Sequence, residues 1–381
     1  MKAEWQLERL ASVTKRITDG SHNPPKGVTD SEYLMLSSKN IFDDNLHYKD
    51  PRYLTPEQFF QEDKRTGIKP DDILLTIVGT IGRCAVVPFD TPKITLQRSV
   101  AVIRSNCEIV EPRFLMYSFL SRNEELNSKA RGVAQKGIYL ETLRELEVEF
   151  PPLPEQHRIV NILDESFDGI ATAKGNAEKN LQNAKALFDS TVNSVFANRG
   201  EDWEDKTLNQ IAENLDSKRV PITKNVRSNG SYPYYGASGI VDYVGDYIFD
   251  GDLLLVSEDG ANLLARTYPI AFSISGKTWV NNHAHVLRFK EMATQRVVEL
   301  YLNSIPLDDY VSGMAQPKLN QKMLNTIVVP YPPLAQQKAM VAKLDELSTE
   351  TQRLETIYQQ KLAALDDLKK SLLHQAFSGA L

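Results

Sequence analysis

Two cysteines in 381 residues, Cys84 and Cys107, leave nothing from which to build a disulfide framework or a multi-cysteine zinc cluster. That scarcity suits a reducing compartment, and both cysteines, set in apolar strand-like sequence, are expected in a core. No stretch approaches the ~18 apolar residues that a membrane span requires, and Met1 to Leu10 carries no apolar run of the secretory kind. A cytoplasmic location is therefore expected. Positive charge is also in short supply. The net charge is −6, with 21 basic against 22 acidic residues over 1–150 and 13 against 16 over 198–330. Proteins that coat nucleic acid without specificity draw on an excess of Lys and Arg to release counterions. Any nucleic-acid contact here must come from a local groove. What remains is 41% hydrophobic and 25% charged, an ordinary globular composition long enough for two or three domains.

The chain is an imperfect tandem repeat. Phe150 to Gln156 reads FPPLPEQ and Tyr331 to Gln337 reads YPPLAQQ, each residue of the second lying 181 positions after its counterpart. The same offset maps Leu163-Asp164-Glu165 onto Leu344-Asp345-Glu346, Ala134-Gln135 onto Ala315-Gln316, and Gly79 onto Gly260. A period this long is that of a duplicated domain, not of a solenoid, and pseudo-twofold symmetry is expected. Each copy opens with β-leaning sequence, Asp72 to Ile81 and Gln97 to Arg104 in the first, Tyr247 to Val256 and Trp279 to Phe289 in the second. Short helices are expected over 112–122 and 295–303. Each copy closes with a Pro-Pro-Leu step that stops a strand and opens a long helix.

In the first of these helices, Glu155 to Ala197, apolar or small residues recur in alternating steps of three and four: Ile159, Leu163, Ser166, Ile170, Ala173, Ala177, Leu181, Ala184 and onward. That is a heptad seam. The second, Ala335 to Phe377, repeats it with one charged break at Lys369 that Leu368 is expected to cover. Alanines in the first stand against Leu354, Tyr358 and Leu365 in the second, as two helices packed on each other require. At ~1.5 Å per residue each helix would reach about 65 Å, a spacer. The expected boundaries are 1–150 and 199–331 for the two β-rich heads, 151–198 and 332–381 for the helices.

Catalytic signatures fail one by one. Asn23-Pro24-Pro25 has the start of an amino-methyltransferase loop, but Lys26 follows where a stacking ring is needed and no glycine-rich cofactor turn exists. It reads as a proline-rich turn. Ala271 to Thr278 (AFSISGKT) imitates a phosphate loop, yet the alternation after it is that of a strand, not of the helix the motif needs. His283 and His285 would share a strand face, with no cysteine and no evident acidic partner to complete a metal site. No metal is expected. In their place stand polar loops at matching positions of both copies: Asp19 to Lys26, Val78 to Arg83, Gln97-Arg98 and Gly132 to Ile138, then Tyr232 to Gly239, Ser257 to Asn262, Asn281 to His283 and Gly313 to Asn320. Glycine lets backbone approach a ligand, Asn and Gln can read adenine edges, and Arg or Lys can read guanine or hold phosphate. A scaffold with peptide- or glycan-binding heads, using Tyr232, Tyr234 and Tyr235, is the alternative.

Four strings carry a resemblance. They are DGSHNPPK; DDILLTIVGTIGRCAVVP from Asp71; YPYYGASGIVDYVGDYIFDGDLLL from Tyr232; and the two PPL(P/A)(E/Q)Q helices ending NSVFA and HQAFSG. Over essentially its whole length the chain resembles the specificity subunit (HsdS) of type I restriction-modification systems. The resemblance implies an α+β fold with two target-recognition domains separated by two long antiparallel coiled-coil helices. Each domain would read one part of a bipartite DNA sequence. The helices would fix the unread spacer and dock two modification (methyltransferase) subunits, which the motor-nuclease subunits join. The chain itself would be non-catalytic and carry no cofactor; S-adenosylmethionine, ATP and Mg would belong to the partner subunits. From the polar loops, the expected DNA contacts are Ser21, His22, Arg83, Arg98, Gln135 and Lys136 in the first domain. In the second they are Tyr235, Ser238, Asn282, Gln316, Lys318 and Asn320.

Overall fold

The computed structural model describes residues 4–132, 136–313 and 316–381. Its contacts divide into two units, one running to Asn176 and taking in Lys361–Leu381, the other Ala177–Gln360. Each unit is built around the same three sheets. In the first, a four-stranded antiparallel sheet runs in the order Thr14–Asp19, Val100–Ser105, Ile73–Thr76, Cys84–Val86. A mixed sheet places Tyr33–Leu36 between antiparallel Arg52–Leu54 and parallel Ile94–Leu96, and Gln6–Arg9 pairs with Glu147–Phe150. The second unit repeats the wiring. Its four strands run Glu213–Asn214, Ala284–Arg288, Leu253–Ser257, Ala271–Ile274, its mixed sheet is Gly239–Val244, Asn229–Gly236, Trp279–Val280, and Glu204–Thr207 pairs with Val328–Tyr331.

The unbroken apolar runs at the centre of each four-stranded sheet follow from burial on both faces. Successive strand side chains point to opposite sides. Ile73 and Leu75 accordingly enter one core and Leu74 another, as Leu254 and Val256 separate from Leu253 and Leu255. Helices Pro112–Ser121 and Met292–Ser304 fall where the sequence predicts short helices. The expected strand from Trp279 to Phe289 is broken. Trp279–Val280 joins the mixed sheet, Ala284–Arg288 joins the antiparallel one, and a turn at Asn281 to His283 redirects the chain between them. His283 and His285 therefore do not share a strand face. Strand Ala271–Ile274 leads through Gly276, at φ +78°, to another strand, so AFSISGKT opens no helix. Cys84 is buried as expected, whereas Cys107 is exposed in the turn beyond Val100–Ser105 and takes no part in a core.

Among the elements of the first unit with no counterpart in the second are a hairpin and a helix. A hairpin pairs Ile41–Phe42 with Asn45–Leu46 through Asp43 and Asp44, both at positive φ. Helix Pro56–Thr66 starts on a Thr55/Gln58 capping box with Pro56 in its first turn and stops at Gly67, at φ +50°. It lies between the mixed sheet and the buried strand, where the second unit has only turns.

The long helices span Leu153–Ala197 and Leu334–Ser378. Their starts show why the Pro-Pro-Leu-x-x-Gln string recurs. Proline ends the ladder because it has no N–H to give. A fully buried glutamine then folds back: Gln156 Nε2 donates to the Pro151 carbonyl at 2.8 Å, and Gln337 Nε2 to the Pro332 carbonyl at 2.7 Å. Gln156 also takes the Glu111 N–H and donates to Ile109, while Gln337 accepts from Thr294 Oγ1. Two turns on, Asp164 accepts from the Tyr117 hydroxyl and pairs with Arg113, and Asp345 pairs with Arg296. The seam is buried where the heptads place it, at Leu163, Ile170, Ala177 and Ala184. Within the first unit the two helices run antiparallel, Arg158 beside Leu381 and Lys174 beside Asp366. Within the second they pack through Phe188, Val192 and Phe196 against Met340, Val341 and Leu344. The break at Lys369 is resolved differently from expectation. Leu368 faces outward at 47% exposure, and Lys369 is instead neutralised by Asp44 at 2.5 Å while lying over the Phe167 ring.

Candidate nucleic-acid interface

Both units carry a loop clasp at the end of the four-stranded sheet. In the first, Arg131 and Gly137 exchange backbone hydrogen bonds of 2.9 Å, Ile138 N–H donates to Ile77, and Gly79 N–H donates to Lys136. In the second, Ser312 and Lys318 make the same exchange at 2.9 and 2.8 Å, Leu319 N–H donates to Glu258, and Gly260 N–H donates to Pro317. Each position lies 181 residues after its counterpart. The repeat thus reaches the polar loops as well as the cores.

The turn after Thr14–Asp19 is fixed by backbone. A Cβ on Gly20 would lie 2.2 Å from the Leu96 carbonyl oxygen, so only glycine fits. Ser21 N–H donates to Leu96, Ser21 carbonyl accepts from Arg98 N–H, and the Ser21 side chain is buried between them. Arg52 donates to the carbonyls of Pro24 and Pro25, holding the proline-rich turn in place. Asp19, itself buried, accepts from His22 Nε2 at 2.8 Å and is paired with Arg65, which comes from the last turn of the helix found only in this unit. Arg65, His22, Arg98 and Arg131 then surround a cavity of about 440 Å³ walled by Ile77, Val78 and Leu140. Of the residues expected to contact DNA, the structure brings His22 and Arg98 to this cavity. Lys136 is exposed on the clasp beside it, and Arg83 is exposed on a turn that does not line it. Gln135 lies outside the described residues.

The register of the sheets gives the equivalent place in the second unit. Asp19 lies opposite Ala101, and the ladder that pairs Asn214 with Leu287 brings Asp216 beside His285. Where Asp19 has Ala101 opposite it, Asp216 has His285, a side chain that is fully buried. Its Nδ1 lies 2.6 Å from Asp216 Oδ2 and its Nε2 2.7 Å from the Leu319 carbonyl. Both ring nitrogens are thus engaged with oxygen atoms. Arg219 donates to Glu258 at 2.6 Å and to the Ala284 carbonyl, and Lys318 pairs with the other Glu258 oxygen at 3.1 Å. Burial pushes the Asp216 and Glu258 carboxyls upward, but His285, Arg219 and, for Glu258, Lys318 outweigh it and hold both below their ordinary values.

Asp216, Glu258 and His285 are the one trio among the described residues with metal-ligand spacing. Every donor atom in it is already engaged, and Arg219 and Lys318 occupy the charge a cation would need. The trio is a salt-bridge network. His285 therefore has two acidic neighbours, and the exposed His283 has Asp259 at 2.8 Å, correcting the expectation that these histidines stand without acidic partners.

The remaining residues of the second unit divide by exposure. Asn282 and Gln316 are exposed, and Ser238 Oγ lies 3.1 Å from the Tyr268 hydroxyl. Tyr235 is half-buried against Phe272, in the core beneath the mixed sheet. Asn320 is committed to capping helix Gln321–Thr326 through the Met323 N–H. Sequence reasoning set Asp19 and Glu258 within its polar loops without giving them a role, and passed over Arg65 and Arg131 in the first unit and Asp216 and Arg219 in the second. The aspartates stand 197 apart, almost the spacing of Trp5 and Trp203, and that offset would have found them. Arg65 has no counterpart to find.

No helix among the described residues is long and apolar enough to cross a membrane. A model of the type I restriction modification DNA specificity domain matches the chain twice, over residues 34–182 and 200–363. The chain is 32% identical over 189 residues to a putative type I restriction enzyme specificity subunit of Haemophilus influenzae, covering 45% of this chain and 49% of that one. It is 33% identical over 218 residues to the EcoBI specificity subunit of Escherichia coli, covering 56% and 44%. The chain thus spans about half the length of these two relatives. A putative MjaX specificity subunit of Methanocaldococcus jannaschii is 23% identical over 99% of this chain and 94% of its own. The fold matches the HsdS subunit of Thermoanaerobacter tengcongensis with a TM-score of 0.59 at 19% identity, over 100% and 98% of the two chains. It matches a chain solved in work on complex assembly and conformational transition of the type I R-M system with a TM-score of 0.76 at 18% identity, over 100% and 99%. The two model matches take in 34–150 of the first head and 200–331 of the second, which leaves the peptide- or glycan-binding scaffold without support. Matched by the same model in each of its two halves, the chain belongs to the type I restriction modification DNA specificity domain family.

Proposed function

We propose that this chain is the DNA-reading subunit of a type I restriction-modification complex, each head reading one part of a bipartite target. The observation that carries this reading is the clasp closed by Arg131 with Gly137 and by Ser312 with Lys318: one backbone framework, built twice, in which Arg131, Lys136 and Gly137 are replaced by Ser312, Pro317 and Lys318. A duplicated frame with diverged contents suits a reader of two unlike half-sites. The heads are taken as 1–150 and 199–331, the helices as 151–198 and 332–381. The helices set the gap between half-sites and dock two modification subunits, which bring S-adenosylmethionine and the methyl transfer; motor-nuclease subunits bring ATP and Mg. The negative net charge accords with a reader whose partners supply many of the phosphate contacts. Among the expected contacts, His22, Arg83, Arg98, Lys136, Ser238, Asn282, Gln316 and Lys318 are exposed, whereas Ser21, Tyr235 and Asn320 support the frame.

The test is co-expression with the cognate modification subunit followed by mapping of N6-methyladenine in a host genome. The expected result is one bipartite motif with a fixed gap that vanishes when this chain is omitted. Methylation that is unchanged without the chain would overturn the reading.

A further inference from the structure

We propose that the first unit reads guanine, through Arg98 and Arg131 at the mouth of its cavity. This rests on the DNA-reading function proposed above and gives it a base. Three guanidinium groups meet at the cavity, and they are not alike. Arg65 is locked, its Nε donating to the Asp19 carbonyl at 3.1 Å and its Nη2 paired with the Asp19 carboxylate beside His22. Arg98 and Arg131 are exposed, and among the described residues neither side chain has a hydrogen-bond or ion-pair partner. Each instead stands on a clamped backbone, Arg98 N–H bonded to Ser21 and Arg131 exchanging two bonds with Gly137. A free guanidinium on a fixed backbone is a donor fork awaiting a pair of acceptors. The edge that presents two acceptors side by side in the major groove is guanine, with O6 and N7.

The second unit shows what the same frame does without them. Ile77 N–H donates to Ser99 where Glu258 N–H donates to His283, which makes Asn282 the counterpart of Arg98; Ser312 is the counterpart of Arg131. Neither replacement is a cation, and Asp216, where Asp19 stands in the first unit, is bound to the buried His285. Arginine pairs at this place are thus a property of one half-site, not of the frame.

The experiment uses the complex of this chain with its modification subunits and a panel of duplexes carrying the mapped target. In the half-site assigned to the first unit, 7-deazaguanine replaces guanine one position at a time, removing the N7 acceptor. We expect one such replacement to weaken binding by the native complex about tenfold or more. With Arg98→Ala or Arg131→Ala, the same replacement should cost nothing further, and Arg98→Asn should shift preference at that position from guanine towards adenine. Both residues are exposed, and melting curves matching the native chain will show that the variants fold. Two results overturn the proposal: a first half-site without guanine, or arginine variants that weaken all sequences equally and flatten the salt dependence, as phosphate contacts would. A native complex without any sequence preference overturns the underlying function instead, and is told apart by the unmodified duplexes alone.

Discussion

Asp19 and Asp216 occupy the same place in two copies of one sheet, and they do opposite work. Across from Asp19 stands Ala101, which has no side chain to meet it, so the carboxylate turns to His22 and to Arg65 from a helix the second unit lacks. Its partners are about half exposed and a cavity stays open. Across from Asp216 stands His285, and the carboxylate turns inward to a network of Asp216, His285, Arg219 and Glu258 that is almost wholly buried, with only Lys318 half exposed at its edge. The lesson is that a duplicated backbone fixes where a carboxylate sits but not what it does. One aspartate sits at an open cationic pocket and the other in a closed ionic core.

The comparison breaks most sharply at the aspartates themselves. Asp216→Ala leaves His285 and Arg219 buried with too little negative charge, and the expected cost is about 3–5 kcal/mol. Asp19→Ala releases side chains that water can reach, and about 1 kcal/mol is expected. Urea denaturation of the two variants would decide, and equal losses would sink the contrast.

Acid should reproduce part of the first effect. The Asp216 and Glu258 carboxyls are held below their ordinary values of 3.8 and 4.5. A depressed folded-state value means that the stabilisation is complete above the ordinary value and is lost as pH falls through the lower one. Unfolding midpoints should therefore be steady with respect to these two groups from neutral pH down to about 4.5, then fall, and fall less steeply in Asp216→Ala. A variant with the same acid slope as the native chain would show that the network is not its source.

The helix starts offer a smaller contrast. Gln156 satisfies two carbonyls and one N–H, Gln337 one carbonyl and one hydroxyl. Replacing either by alanine should cost about 1–3 kcal/mol, with Gln156→Ala the more damaging, as thermal denaturation would register. The smallest expected change is a gain. The first long helix contains Gly169 and Gly175, around whose added Cβ nothing lies within 4 Å, while the second helix has no glycine. Gly169→Ala and Gly175→Ala should each stabilise by about 0.5–1 kcal/mol, and a loss on denaturation would mean that the first helix needs its glycines for something beyond packing within the chain.

Much of the architecture is legible in the order of residues. A single offset of 181 aligns cores, helix starts and polar loops, and the heptad seam names positions that are buried. The misreadings have a common cause. Trp279 to Phe289 alternates like one strand, but two sheets claim its two ends, and the break between them redirects His283. Lys369 reads as a defect in its heptad because Asp44, which neutralises it, lies 325 residues away on a hairpin without a counterpart. Arg65 meets Asp19 across 46 residues and His285 meets Asp216 across 69. Periodicity sees only neighbours on the same element.

The duplication, the alternation of heads with long helices, and the buried faces are written in the chain, because repeat spacing and hydrophobic period act within a segment and need no partner to be read. Which charges are shared and which are free was settled only by the folding of distant segments onto one another. Pairing of that kind is set where separate parts of the chain meet, and there Asp19 meets Arg65 and His22 at a cavity ringed by arginines while Asp216 meets the buried His285.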